Sequence, residues 1–469
     1  MKQKTNLTML CDFYELTMAN GYFQTGLKDR ICYFDIFYRN VPDSAGFSLA
    51  AGLAQVIEYI QELHFDEEDL AYLRTKGCFS EEFLNFLADF KFTGDIWAVP
   101  EGTPIFPGEP ILTVRAPAIQ AQFIETFLLL TLNHQSLIAT KSNRIVRAAE
   151  GRPVAEFGSR RAQGADGALL GARASYIAGC AATACTMAHS WVQMFPDEYT
   201  AFKTYCQLYP TNAVLLVDTY NVLKSGVPNA IKAFKEVLLP QGITKCGIRL
   251  DSGDLTYLSQ KARQMLDEAG MTDCKIFASN ALDEYIIRDL VRQGARIDSF
   301  GVGERLITSR SEPVFGGVYK LAAIEDEQGN IIPKIKISEN PAKITTPHFK
   351  KVYRIFSKST GKAEADLICL HDEEFDFTQP LELFDPSATW KRKVFTDIEA
   401  RELLVPVFQH GQLVYQVPDL QASRDYCRRQ VDALWDEVKR FENPHNYYVD
   451  LSQKLWDIKQ SLLNHPESV

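Results

Sequence analysis

Between residues 153 and 305 the chain repeats one phrase, and that repetition limits its fold more than any other feature of the sequence. An apolar run ends in polar or charged residues, and a helical stretch follows. PVAEFGSRR (153–161) is apolar and then basic, and AVLLVDTYN (213–221) is apolar and then reaches Asp218. CGIRLDSGD (246–254) opens with Ile248 and Leu250 and gathers Arg249, Asp251 and Asp254. KIFASN (275–280) ends in Ser279 and Asn280, and IDSFGVGER (297–305) ends in a Gly-x-Gly. Asp218 and Asp251 lie 33 residues apart, Asp251 and Asn280 29, and Asn280 and Gly303 23. Strand, polar end and helix at this spacing predict an α/β protein with a parallel β/α array. Such folds place their sites at the carboxyl ends of the strands. Polar residues end every repeat, not only those at one switch point, so a parallel β/α barrel fits better than a doubly wound sheet. Six or seven strands make it irregular and incomplete.

The flanking sequence has another character. Residues 92–117 break short alternating runs with Gly and Pro, which predicts a compact antiparallel unit. Two hairpins are expected later, one over 317–338 turned at Gln328-Gly329-Asn330, one over 351–370 turned near Gly361. These strands and the early ones form a second α+β domain built from both chain ends. The expected divisions are an N-terminal α+β domain over 1–150, the catalytic barrel over 151–320, and C-terminal strands and helices over 321–469 that pack with the N-terminal domain. Helical patterns cover 8–23, 52–90, 119–149 and 419–441, and Leu451, Leu455, Ile458 and Leu462 mark a last helix. Tyr14, on the first, reads as a core residue of an amphipathic helix. Lys141, Arg144 and Arg147, at i, i+3 and i+6, read as a solvated basic face or as a wall facing phosphates.

Size and charge exclude some classes. A chain of 469 residues has room for two or three domains and a large core. With 50 Lys and Arg against 60 Asp and Glu, the net charge is −10, which argues against a general grip on nucleic acid. The ten cysteines include no C-x-x-C pair, so reduced thiols are expected rather than structural zinc or a disulfide framework. The N-terminus lacks the apolar core of a secretory signal, and the apolar run over 127–132 is far too short to span a bilayer. A cytoplasmic protein without a membrane partner is expected.

Four groups converge at the mouth of the predicted array: FGSRRAQGADG with Arg160 and Arg161, CTMAHSWV with His189, the Arg249–Asp251–Asp254 group, and GVGERLIT (301–308). A cation and two carboxylates at a strand end suit a metal ion with an anionic substrate. The same spelling suits a solvated turn in which Asp251 or Asp254 caps the next helix. The Gly-x-Gly lets backbone N–H groups approach an anion. Leu306 stands where a dinucleotide fingerprint needs its third glycine, and no P-loop is present. His189 follows the small-residue run AGCAATACTMA, which lets backbone come close to a ligand; a satisfied core or surface histidine is the bland alternative.

Further blocks extend these groups along nearly the whole chain: DFYELTMANGYF, EGTPIFPGEPIL, EFGSRRAQGADG, TMAHSWV, RLDSGD, FGVGERLITS followed by GGVYKL, and NPHNYYVDLS. With them the chain resembles the nicotinate phosphoribosyltransferase family, departing from it at Cys185, where relatives commonly have Gly. The resemblance implies a homodimer with shared sites that joins nicotinate to 5-phosphoribosyl 1-diphosphate in NAD biosynthesis. It implies ATP as co-substrate, Mg2+ as cofactor, and a phosphohistidine at His189. Thr186, Arg249 and Tyr14 match nicotinate-binding positions, Tyr14 coming from the other subunit. Thr308, with Gly301 and Gly303, matches the 5-phosphate loop. Asp251 and Asp254 match the ribose and metal side, the metal held directly or through water. Phe157 joins Arg160, Arg161, Ser279 and Asn280 as candidate substrate-binding residues.

Two alternatives stand beside this reading. One is a sister enzyme using nicotinamide or quinolinate. The other is a silent relative, which should have lost His189, Asp251 or Arg249; all three are present. Residues 172–190 contain no Asp or Glu to accept from an amide, and Arg249 offers a planar cation, which favours the nicotinate carboxylate.

Overall fold

A computed structural model describes residues 6–183 and 189–465. The chain divides into two compact units, Ile138–Pro313 and the pair Met1–Leu137 with Val314–Val469.

The Ile138–Pro313 unit carries the predicted array. Its strands are β1 (Val154–Glu156), β2 (Ala182–Thr183), β3 (Val214–Leu216), β4 (Gly247–Leu250), β5 (Lys275–Ala278) and β6 (Ser299–Val302). They lie in the order β2-β1-β6-β5-β4-β3, and every pair is parallel. Among the described residues β2 and β3 are the sheet's edges, so the barrel is a curled half-barrel rather than a closed ring. One face of the sheet is closed: Leu215, Ile248, Leu250, Ile276, Ala278 and Val302 share it and are all wholly buried, while Arg249, Phe277 and Ser299 on the other are half-buried. Several polar strand ends have a local job, which is to start the next helix. Asp254 accepts from Tyr257 N at 3.0 Å ahead of Leu255–Glu268, and Asp283 accepts from Tyr285 N and Ile286 N ahead of Glu284–Arg292.

The basic periodicity of the long helix Glu125–Ala148 belongs to this unit's interior, not to a solvated face. Lys141 and Arg144 are 3 % and 1 % exposed. Both reach one carboxylate oxygen of the buried Glu284, at 2.8 and 2.9 Å. Lys141 also donates to Ser311 Oγ at 2.8 Å. Arg147 donates to Asn143 Oδ1 at 3.0 Å, and burial, with the Arg144 charge, holds its guanidinium below its ordinary pKa. Spacing shows that the three cations share a face; it does not show that the face is covered.

In the other unit both chain ends share one sheet. Its seven strands run Ile331–Pro333, Gly317–Glu325, Ile31–Tyr38, Leu112–Pro117, Asp95–Ala98, Val405–Gln409, Gln412–Leu413, all antiparallel. Phe34 stands opposite Val114 on one side and Leu321 on the other, so a strand from the start of the chain lies beside one from beyond residue 314. Both hairpins form as expected, with Gly329 and Gly361 at positive φ in their turns. A second sheet of four strands holds the wholly buried Asp366, which Arg354 engages through Nε at 2.9 Å and Tyr447 OH at 3.0 Å. The helix expected over 419–441 ends at Asp432. There Lys362 Nζ donates to the carbonyls of Asp432 and Leu434, and Ala363 N–H donates to that of Ala433. Tertiary donors take the carbonyls that end the helix, while Leu434 and Val438 stay buried beyond it.

Candidate active site

The site is built from the carboxyl ends of β1, β3, β4, β5 and β6. β1 ends at Glu156, and the next residue, Phe157, donates its N–H to Val302 O at 2.8 Å. That bond lays the Phe157 ring on the backbone of Gly301. A Cβ at residue 301 would fall 2.1 Å from ring atom Cε2, so only glycine admits the ring there. Across from it, the Arg249 guanidinium carbon lies 5.4 Å from the ring centroid, within reach of a cation–π contact.

Arg249 is held by its neighbours on the sheet. Its Nε donates to Ser279 Oγ at 2.7 Å and its Nη2 to Asp251 Oδ1 at 2.8 Å. Ser279 Oγ donates to the same Asp251 oxygen, closing a three-membered network. Strand register explains the meeting: Arg249 stands opposite Phe277 on β5, so the end of β5 brings Ser279 alongside the end of β4. The Arg249 side chain is 13 % exposed and that of Asp251 33 %, so the pair lies at the boundary between interior and solvent.

His189 joins this network through Asp218. Asp218 Oδ2 accepts from Asp251 N at 2.9 Å and from Ser252 Oγ at 2.6 Å. Its Oδ1 has no hydrogen-bond partner among the described residues and lies 4.0 Å from His189 Nε2. His189 Nδ1 lies 3.0 Å from Thr219 Oγ1. With Thr219 donating, Nδ1 accepts and Nε2 carries the proton toward Asp218. The imidazole is thus oriented on two sides, yet its side chain stays 43 % exposed. Such a group can take or pass a proton, or form a bond to phosphorus. Asp218 and Thr219 were not among the sequence candidates. Their signal was present: LLVDT has the same strand-then-acid spelling as GIRLD.

The other candidates fall into place around this core. Asp254 is exposed and caps the following helix, the bland half of its sequence reading. Arg160 and Arg161 are exposed on the short turn Ser159–Arg161, with Arg161 3.9 Å from Glu304. Gly303 precedes the short helix Glu304–Ile307, and Thr308 closes that helix by donating to Glu304 O at 2.7 Å. Asn280 holds φ at +131°, an unusual backbone at a strand end, and accepts from Ala281 N at 2.7 Å. Tyr14 belongs to the other unit, on Phe13–Gln24, and is 42 % exposed. Thr186 and Cys185 lie outside the described residues. Among the described residues no group of three or more His, Cys, Asp or Glu is placed to hold a metal by itself.

Comparison with known proteins adds a second line of evidence. Residues 9–133 match the nicotinate phosphoribosyltransferase (NAPRTase) N-terminal domain, and residues 349–459 the nicotinate phosphoribosyltransferase C-terminal domain. The chain is 43 % identical over 476 residues to the nicotinate phosphoribosyltransferase of Bacillus subtilis (strain 168), covering 99 % of this chain and 96 % of that one. It superposes on the crystal structure of human nicotinic acid phosphoribosyltransferase with a TM-score of 0.83 at 26 % identity, covering 97 % of this chain and 100 % of that one. A nicotinate-nucleotide pyrophosphorylase from Pyrococcus furiosus shares the fold, with a TM-score of 0.69 at 22 % identity over 92 % of this chain and 97 % of that one.

The Phe157–Gly301 contact can be tested by a mutant cycle. Gly301→Ala is expected to destabilise the protein by about 1–3 kcal/mol, because the ring must move. Adding Phe157→Ala removes the clash, so the double variant should lose at least about 1 kcal/mol less than the two single losses summed. Additive losses in urea unfolding would show that the ring does not rest on residue 301.

Proposed function

The chain belongs to the nicotinate phosphoribosyltransferase family of NAD biosynthesis, and on that premise we propose that its site joins nicotinate to 5-phosphoribosyl 1-diphosphate. The pairing of a flat ring with a cation carries the reading: Phe157 offers a stacking face, and Arg249 stands beside it. An aromatic carboxylate needs both.

The chemistry asks little covalent work of the protein. The pyridine nitrogen attacks C1 of the ribose, the N–C bond forms, the C–O bond to diphosphate breaks, and nicotinate mononucleotide results. The protein must orient the ring and accommodate charge on the leaving group. Phe157 and Arg249 orient the ring, with Thr186 as a further contact. Asp251 faces the ribose hydroxyls. Arg160, Arg161 and the backbone from Gly303 to Thr308 meet the phosphates. Ser279 and Asn280 line the strand end between them.

Mg2+ fits the Asp251–Asp254 loop. Among the described residues the hydrogen bonds of both carboxylates fall on Oδ1, which leaves each Oδ2 open to a ligand. Asp251 and Asp254 would hold the ion through these oxygens, directly or through water, as Mg2+ is commonly held by one or two carboxylates. When bound, the ion neutralises charge on the diphosphate.

ATP enters as co-substrate through His189. An imidazole nitrogen forms a bond to the γ-phosphorus, the β–γ bridging bond breaks, and ADP leaves. The hold of Thr219 and Asp218 on an exposed imidazole supports this role. The phosphate adds nearly two negative charges beside the diphosphate site, by analogy with other phosphorylated side chains. A homodimer in the cytoplasm completes the reading, with Tyr14 of a second copy reaching the ring pocket. No described helix is long and apolar enough to cross a membrane.

Nicotinate should exceed nicotinamide by at least about a hundredfold in kcat/KM, since each factor of ten needs only about 1.4 kcal/mol. EDTA should abolish turnover, and Arg249→Gln should narrow the gap by losing the acid. Comparable values for acid and amide would move the chain to the sister activity. With γ-labelled ATP, an acid-labile label should map to His189 and vanish in His189→Ala; a label elsewhere removes the phosphohistidine. Mixing Tyr14→Ala and His189→Ala chains should restore some turnover in hybrid dimers. Verified hybrids without turnover would exclude a shared site.

A further inference from the structure

Glu156 is a carboxylate that this mechanism leaves idle. It ends β1 between Val302 of β6 and Thr183 of β2 and is wholly buried. Among the described residues no cation pairs with it. One oxygen accepts the N–H of Gly158, two residues on, and the other has no hydrogen-bond partner among the described residues. A buried carboxylate held so sparsely is expensive to keep. Burial raises its pKa, and the Gly158 N–H pulls the other way.

The surroundings show what this carboxylate does. A Cβ at residue 158 would fall 2.5 Å from Ile307 Cγ2 and 2.7 Å from the Glu156 carboxylate oxygen. The chain therefore threads a slot between Ile307 and Glu156 that admits glycine alone. Phe157 sits between two fixed N–H groups: its own on Val302 O, and that of Gly158 on Glu156. The turn that follows carries Arg160 and Arg161.

We propose that Glu156 is a positioning residue for substrate: by accepting the Gly158 N–H it fixes the turn that lays Phe157 between Gly301 and Arg249. The inference rests on reading Phe157 and Arg249 as the nicotinate pocket. Without the acceptor, the Gly158 N–H is left buried and unpaired, the turn relaxes, and the ring loses its seat. The groups on β3, β4 and β5 stay in place, so the loss falls on what this turn carries, the seat of the ring and Arg160 and Arg161.

Two readouts test this on the full chain, with folding checked by circular dichroism. In hydrogen exchange, Glu156→Ala should lose protection over residues 157–161, while Glu156→Gln, which keeps an acceptor oxygen, should retain it. In steady-state turnover, Glu156→Ala should raise the KM for nicotinate about tenfold or more, as expected for losing a hydrogen bond to a charged group, and lower kcat as Arg160 and Arg161 shift. Glu156→Gln should stay within about threefold of the unsubstituted protein in both. If Glu156→Ala does not fold, Glu156→Asp, whose oxygens stand back from Gly158, should show the same loss. Unchanged protection and KM in the Ala or Asp variant would overturn the proposal, as would a Gln variant as impaired as Ala. An unsubstituted protein that does not turn over nicotinate would instead refute the pocket, and hydrogen exchange would still decide the role of Glu156.

Discussion

The ion pair between Arg249 and Asp251 is the contact on which the rest of the site depends. It joins two residues on one strand end, and Ser279 from the neighbouring strand bonds both. A charge pair in this half-exposed position does not pull a fold together. What it does is fix direction: the fork of Arg249 is held on one edge, so its orientation toward Phe157 is set before any ligand arrives. The sheet bears the cost of that order. Six parallel strands hold their ends in a register that no single side-chain contact could impose.

Much of this was legible in the sequence, because parallel strands and their loops have a plain grammar. Strands with a buried face read as short apolar runs, and the helices between them set the spacing. Arg249, Asp251 and Ser279 were found from that grammar alone. Asp254 shows its limit. A carboxylate that binds a ligand and one that caps a helix have the same spelling; Asp254 caps through Oδ1, which the sequence does not tell apart from a ligand role for its other oxygen. Asp218 shows the opposite failure. It lay in a recognised strand end, but its place beneath His189 depends on two loops meeting, which spacing does not contain.

The buried cations were harder still. Lys141 and Arg144 keep helical period whether the face they share is wet or dry. Glu284, their carboxylate, lies 140 residues beyond Arg144, with no local sign that it is an ion-pair partner. The helix after residue 419 fails for a related reason. Its apolar period runs on to Phe441, but side chains and backbone from the hairpin near residue 362 take its last carbonyls. Period predicts a face; it does not predict what arrives to cover that face or to end it.

The link between the two halves of the site is made by main chain. Asp218 holds the backbone N–H of residue 251, not its carboxylate, while the side chain of Asp251 is turned to Arg249 and Ser279. The wiring is therefore asymmetric. Any residue but proline at 251 still offers Asp218 its N–H, so that bond survives changes there. A change at 218 disturbs both halves at once. The hold on this strand end thus tolerates drift at 251, whereas position 218 has no such latitude.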